Sequence, residues 1–146
     1  MGKILQIGIC KNKGDEIVSV SEVEAIQGEG LINDRKYKEN NEKMKQITLI
    51  EIENIKKYNE LLKEKIPALK FRRNIITKNI NLNELINKIF FIGAVKVKGH
   101  ALCRPCKYLQ DLLKEEDLVK KLFATGGLRC EILSGGKIFV GDDIKQ

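Results

Sequence analysis

A chain of 146 residues has room for one domain with one sizeable core, and 42% hydrophobic residues argue against disorder. No apolar run approaches the roughly 20 residues of a membrane span, and the start, Met1-Gly2-Lys3-Ile4-Leu5-Gln6-Ile7, lacks the apolar stretch of a secretory signal; a cytoplasmic location with four reduced cysteines is expected. The formal net charge of +7 attracts polyanions, but the lysines are dispersed and aromatics make up only 5%, which argues against a nucleic-acid partner.

Residues 3–10 alternate moderately and predict a strand. Asn12-Lys13-Gly14-Asp15 marks a turn, and residues 17–26 alternate as one half-buried strand. Gly28-Glu29-Gly30 opens a polar loop reaching about Lys45, after which Gln46-Ile47-Thr48-Leu49-Ile50 predicts a short strand. A helix is expected over 51–64, with Ile52, Ile55 and Leu62 toward the core. Residues 74–77 predict a strand, and Leu82, Leu85 and Ile86 a helical turn. Two strands flank Gly93, over 89–92 and 94–97. Helical spacing of Leu109, Leu112, Leu113, Val119, Leu122 and Phe123 predicts a helix over 105–123. Residues 128–133, Ser134-Gly135-Gly136 and 137–140 read as a hairpin, with Asp142 and Asp143 as turn residues. Strands scattered without regular helix alternation exclude a doubly wound sheet and favour a mainly β chain, a β-barrel with inserted helices.

The chemistry concentrates in Cys103-Arg104-Pro105-Cys106, followed by Lys107. Proline suits a first helical turn, so Cys106 is placed at a helix N-terminus with cations beside it. That setting favours the thiolate. A packed, inert cysteine is the plain alternative. A thioredoxin-like redox pair would need a βαβ context that the late position of the motif does not provide. A structural zinc would need four ligands, and His100 with Cys130 or Cys10 could only complete it from apparent core positions. His100, the only histidine, reads as a solvated loop residue. Only five of 27 basic residues are arginine: Arg35, Arg72, Arg73, Arg104 and Arg129. In a chain that uses lysine by default, each is a candidate for fork-shaped recognition of phosphate or carboxylate. Ordinary surface ion pairs are the bland alternative.

Several segments, in order, resemble the MOSC domain, the molybdenum cofactor sulfurase C-terminal domain. They are Gly28-Glu29-Gly30-Leu31-Ile32-Asn33-Asp34-Arg35-Lys36, Gln46–Ile50, Arg72-Arg73-Asn74-Ile75, Phe91-Ile92-Gly93, Cys103–Leu109, Gly126-Gly127-Leu128-Arg129 and Ile138–Asp142. The likeness spans residues 1–146 as a single MOSC-like domain. Asn33 stands where the family usually has glycine, and asparagine is the next best residue for a left-handed backbone. The resemblance implies a MOSC-like β-barrel and a reactive Cys106, with Cys103 as resolving thiol, second ligand or bystander. It implies a persulfide sulfur carrier, or molybdenum ion binding in which Cys106 is the metal ligand of a molybdenum cofactor (molybdopterin). Arg35, Lys36, Arg72, Arg73, Asn74 and Arg129 are its cofactor-binding candidates. The chemistry implied is sulfur transfer or molybdenum-dependent reduction. No pyridoxal phosphate domain is part of this chain, so partners would be a sulfur donor such as a cysteine desulfurase, itself pyridoxal phosphate dependent, and a cofactor-synthesis protein or molybdoenzyme acceptor. The contrasting expectation is a non-catalytic module that docks onto a sulfurase or cofactor-synthesis partner.

Overall fold

The structure is a computed structural model describing residues 2–63, 65–104 and 125–146. The expected helix over 105–123, the side chain of Leu62 and Cys106 lie outside the described residues. Eleven strands and one α-helix are described: β1 (Gly2–Ile9), β2 (Val18–Val20), β3 (Glu22–Ile26), β4 (Gly30–Leu31), β5 (Ile47–Glu51), α1 (Ile52–Leu62), β6 (Ile75–Lys78), β7 (Ile89–Ile92), β8 (Val95–Leu102), β9 (Leu128–Ser134), β10 (Gly136–Phe139) and β11 (Asp143–Lys145). Seven strands close into a barrel in the order β11-β7-β8-β9-β5-β6-β1, with β1 pairing back onto β11. Closure leaves the barrel no free edge, which is the physical advantage of this architecture for a mainly β chain. The expected fold class is therefore the observed one.

The barrel is filled by the inward residues of each strand. Ile4, Ile7, Leu49, Ile75, Phe90, Ile92, Val95, Val97, Leu128, Cys130 and Ile132 are all buried in one cluster. A second, smaller cluster lies under α1, where Ile55 and Tyr58 pack on Ile50, Ile76 and Phe71. The Tyr58 and Phe71 rings meet edge to face at 5.9 Å. Strands β5 and β6 run parallel, and α1 belongs to the crossover that joins them.

Four expectations are corrected. Residues 17–26 are two strands, not one: β2 pairs with β1, whereas β3 joins β10 and β4 in a separate three-stranded sheet. The phase of the apolar alternation changes here, with Val18 and Val20 on even positions and Val23 and Ala25 on odd ones. A one-residue slip switches faces, so the chain changes sheet at Ser21. The hairpin expected around Ser134-Gly135-Gly136 does not form: β10 pairs with β3 rather than β9. A Cβ at Gly135 would come within 2.5 Å of the Ala25 carbonyl oxygen, so the glycine lets the chain cross close to β3. Finally, β8 runs on through His100, and Asp143 opens β11 instead of closing a turn.

Candidate functional site

Three separated segments meet at one place on the barrel wall. The first is the loop after β4. Asn33 adopts φ of 71°, the left-handed conformation expected of asparagine at this position. The buried Asp34 carboxylate accepts from the Cys10 amide at 2.9 Å and from the Lys36 amide at 3.2 Å. The Arg35 amide donates to the Cys10 carbonyl at 2.6 Å. Farther along, the Asn41 side-chain amide donates to the carbonyls of Glu29, Lys36 and Lys45. The loop is thus pinned by its own polar groups, and the backbone on both sides of Arg35 and Lys36 is fixed.

The second segment is the turn into β6. A short 3-10 helix over Ala68–Phe71 ends at Arg72, whose φ of 61° is left-handed. A non-glycine residue held there stores backbone strain, and such strain gathers at functional positions. Arg72 donates from Nη1 to the Asp15 carbonyl at 3.0 Å and from Nη2 to the Cys10 Sγ at 3.6 Å. Arg73 donates from Nε to the Gly126 carbonyl at 2.9 Å. Asn74, next in line, is fully engaged in the barrel wall. Its Oδ1 accepts from the amide and the hydroxyl of Thr48, its Nδ2 donates to the Gly8 carbonyl, and its own amide donates to the Thr48 hydroxyl. Asn74 therefore clamps β5 and β1 beside the two preceding arginines; its oxygen and one amide hydrogen bond the protein itself, and the residue also lines the cleft described below.

The third segment is β9. Arg129 points away from the core and donates to the Met44 carbonyl at 3.1 Å, which ties β9 to the pinned loop. Gly127, two residues earlier, has φ of 111°, and a Cβ there would lie 2.1 Å from the Leu49 carbonyl oxygen. Only glycine brings this strand entry so close to β5.

The electrostatics show that these segments converge. Burial lowers the pKa of Lys36 from its ordinary value, and the guanidinium groups of Arg35, Arg129 and Arg73 lower it further; Asp34 acts in the opposite direction. Four cations from three sequence-distant segments therefore lie within electrostatic reach of one another. Arg35, Lys36 and Arg72 also line one small cleft with Cys10 and Asn74. Among the described residues, Arg35, Lys36 and Arg129 have no carboxylate ion-pair partner. This density of positive charge is what an oxyanion would neutralise.

The cysteines divide differently from the sequence expectation. Cys103 is fully buried and its amide donates to the Gly127 carbonyl at 2.7 Å. Cys130 is a core residue whose thiol is pushed well up by burial, with a further contribution from Cys103. Cys10 is buried too, but it is no inert strand residue. Its Sγ donates toward the carbonyls of Asn12 and Asp15 and accepts from Arg72, at the back of the cationic cleft. The sequence placed Cys10 as a core residue, and buried it is; its contact with Arg72 has no signal in the sequence beyond a place at a strand end just before a turn. The exposed Arg104 marks the end of the described part of the Cys103–Cys106 segment. His100 is not a solvated loop residue: it sits in β8 with Nε2 2.9 Å from the Glu131 carboxylate, both side chains mostly buried. The residue before it is Gly99. In the structure it forms a bulge in the β8–β9 ladder, where a Cβ would meet the Leu85 carbonyl oxygen at 2.3 Å. Among the described residues, no group of three or more His, Cys, Asp or Glu side chains could hold a metal. None of the described helices is long and apolar enough to cross a membrane.

Comparison with known proteins agrees with this geometry. None of the curated proteins searched matches the sequence significantly. Among solved structures, the YuaD protein from Bacillus subtilis superposes with a TM-score of 0.84 at 14% identity, covering 99% of this chain and 94% of that one. YiiM from Geobacillus stearothermophilus gives 0.80 at 20% identity, with 99% and 74% covered. YiiM from Escherichia coli gives 0.73 at 15% identity, with 98% and 68% covered. At such identities the likeness is one of fold. The sequence itself matches the MOSC domain model over residues 34–145, a span that holds all four clustered cations and the Cys103–Cys106 segment, and the chain belongs to the MOSC domain family.

Proposed function

We propose that this MOSC domain binds the molybdenum cofactor, with the cluster of Arg35, Lys36, Arg73 and Arg129 holding its phosphate and Cys106 supplying a thiolate to the metal. The observation that carries this reading is the cleft lined by Arg35, Lys36 and Arg72, with Arg73 and Arg129 near enough for their charge to act on the Lys36 ammonium. The described residues fit an anionic group: the carboxylate nearest the cluster, Asp34, accepts two backbone amides and offsets the charge on Lys36 only in part. A sulfur carrier alone would have little use for such a cluster, whereas a phosphate has several donors to meet. When bound, the cofactor supplies a thiophilic, redox-active metal. The residues of the chain bind and orient it. Arg35 and Lys36 act from a loop fixed at Asp34 and Asn41. Arg73 is aimed by the Gly126 carbonyl and by the Asn74 clamp, and Arg129 by Met44. Cys103, fully buried, leaves the thiol role to Cys106.

The test is elemental and pterin analysis of the full chain purified from cells that make the cofactor. Molybdenum and pterin in near-equal amounts are expected, with Cys106→Ser losing the metal and Arg35→Gln with Arg73→Gln losing both. Purified protein that carries a persulfide on Cys106 and no pterin would overturn this reading in favour of a sulfur carrier. If neither appears and the chain is instead recovered bound to a cofactor-synthesis partner, a docking module is the better account.

A further inference from the structure

Beside the cation cluster lies a second cleft that the phosphate-holding role does not use. It is framed by the turn after β1 on one side and by Pro67 to Arg72 on the other, and its cavity volume is about 210 Å³. That is smaller than most drug-sized sites and suits a fragment built on a single ring. Its floor is apolar. A Cβ at Gly8 would lie 2.5 Å from the Ile17 Cγ2 and 2.8 Å from the Leu69 Cδ2, so both side chains converge over this glycine. Pro67 continues the apolar wall. Two polar links join the rims: Lys70 to Glu16 at 3.3 Å, and Arg72 to the Asp15 carbonyl at 3.0 Å. Ile17 and Arg72 line both this cleft and the cationic one, so the two form a continuous depression.

We propose that this cleft is a substrate subsite for a small molecule with a planar, largely apolar ring and an anionic group, the ring lying over Ile17 and Leu69 and the anionic group turned toward the cations. Arg72 is the shared wall. Its guanidinium is held by the Asp15 carbonyl and the Cys10 sulfur, and a fixed guanidinium plane stacks well on a flat ring. A freely exchanging substrate suits the place better than a resident group, because Gly14, Glu16, Pro67 and Lys70 on the rim are exposed. The inference rests on the anion-binding reading of the neighbouring cluster, and the experiment separates the two.

Titration calorimetry of the full chain with inorganic phosphate and with phenyl phosphate is the measurement. Phenyl phosphate should bind about tenfold more tightly, the gain expected from burying part of a ring. Leu69→Ala, which removes floor, and Leu69→Trp, which fills the cleft, should each abolish that preference and leave inorganic phosphate affinity unchanged. Thermal melts confirm that each variant is folded, and Leu69→Ala decides the matter if Leu69→Trp does not fold. Equal affinities in the unaltered protein, or a preference that survives Leu69→Ala, would overturn the subsite while leaving the cation cluster intact. Failure of both anions to bind would overturn both readings. Loss of molybdenum content in Leu69→Ala would show that the cleft holds the cofactor's own ring and would overturn the substrate assignment.

Discussion

Lys36→Met should stabilise the protein and weaken its hold on an anion. The Lys36 ammonium is partly stripped of water and faces Arg35, Arg129 and Arg73, with only Asp34 opposing them. Its folded pKa lies below the ordinary lysine value that the unfolded chain keeps, so the unfolded chain binds the proton more readily. The cost to stability is therefore fully present below the folded pKa and is relieved as pH rises toward the unfolded value. Methionine keeps the apolar stem and removes the charge. Relief of a buried like-charge contact is worth on the order of 1 kcal/mol, which at this chain length raises the melting temperature by about 3 °C at neutral pH. The gap between variant and parent should shrink between neutral pH and pH 10. Phosphate affinity should fall about tenfold or more, the value of one charge-assisted hydrogen bond. Melts at pH 7 and pH 10 and phosphate calorimetry at low ionic strength check both halves. A variant that melts lower than its parent, or one that binds phosphate as well, would show that Lys36 is not held among these guanidinium groups.

Gly127→Ala should cost more than about 3 kcal/mol, because φ of 111° and a Cβ 2.1 Å from a backbone oxygen leave no room to relax; a soluble variant with an unchanged melting point would contradict this. Asn74→Ala should destabilise by about 3 kcal/mol through its lost bonds to Thr48 and Gly8, and urea melts that show no change would remove its clamping role. In competitive labelling at neutral pH, Cys10, Cys103 and Cys130, all nearly or fully buried, should alkylate more slowly than Cys106. Peptide mapping that finds Cys130 labelled as fast as Cys106 would sink the distinction, since burial pushes the Cys130 thiol up.

The sequence carried the barrel because most of its strands have one face in the core, and a buried face writes a period of two. It was silent where a strand is held by something other than alternation. Strand β8 passes through Lys98-Gly99-His100, which has no apolar rhythm, and survives as a bulged pairing with β9. The three-residue β11 is too short to show a period, yet it closes the barrel against β1. The arginines stand out by their rarity among so many lysines, and the charges of Arg35, Arg73 and Arg129 all reach Lys36; Cys106, the expected centre of the group, lies outside the described residues. Asn74 was legible as part of the same motif, but sequence cannot say whether a polar side chain faces a ligand or a neighbouring strand. His100 was misplaced for the same reason: its partner Glu131 is 31 residues away.

The site also explains why a polar clamp stands in the barrel wall. Gathering Arg35, Lys36, Arg73 and Arg129 costs electrostatic energy, and holding Arg72 left-handed adds strain. Asp34 opposes the repulsion at Lys36 only in part, since it acts against three guanidinium groups and the effect of burial. The compensation lies one residue away. Asn74 and Thr48, both buried, satisfy each other and tie β6 to β5 and β1, where an apolar pair would leave the backbone groups they bond without partners. The order Arg72-Arg73-Asn74 thus couples the two functions along three consecutive positions. The first bears the strain and walls the clefts, the second joins the cations, and the third fixes both to the rigid part of the fold. An anion that enters the cluster relieves the repulsion directly, so binding and stability rise together.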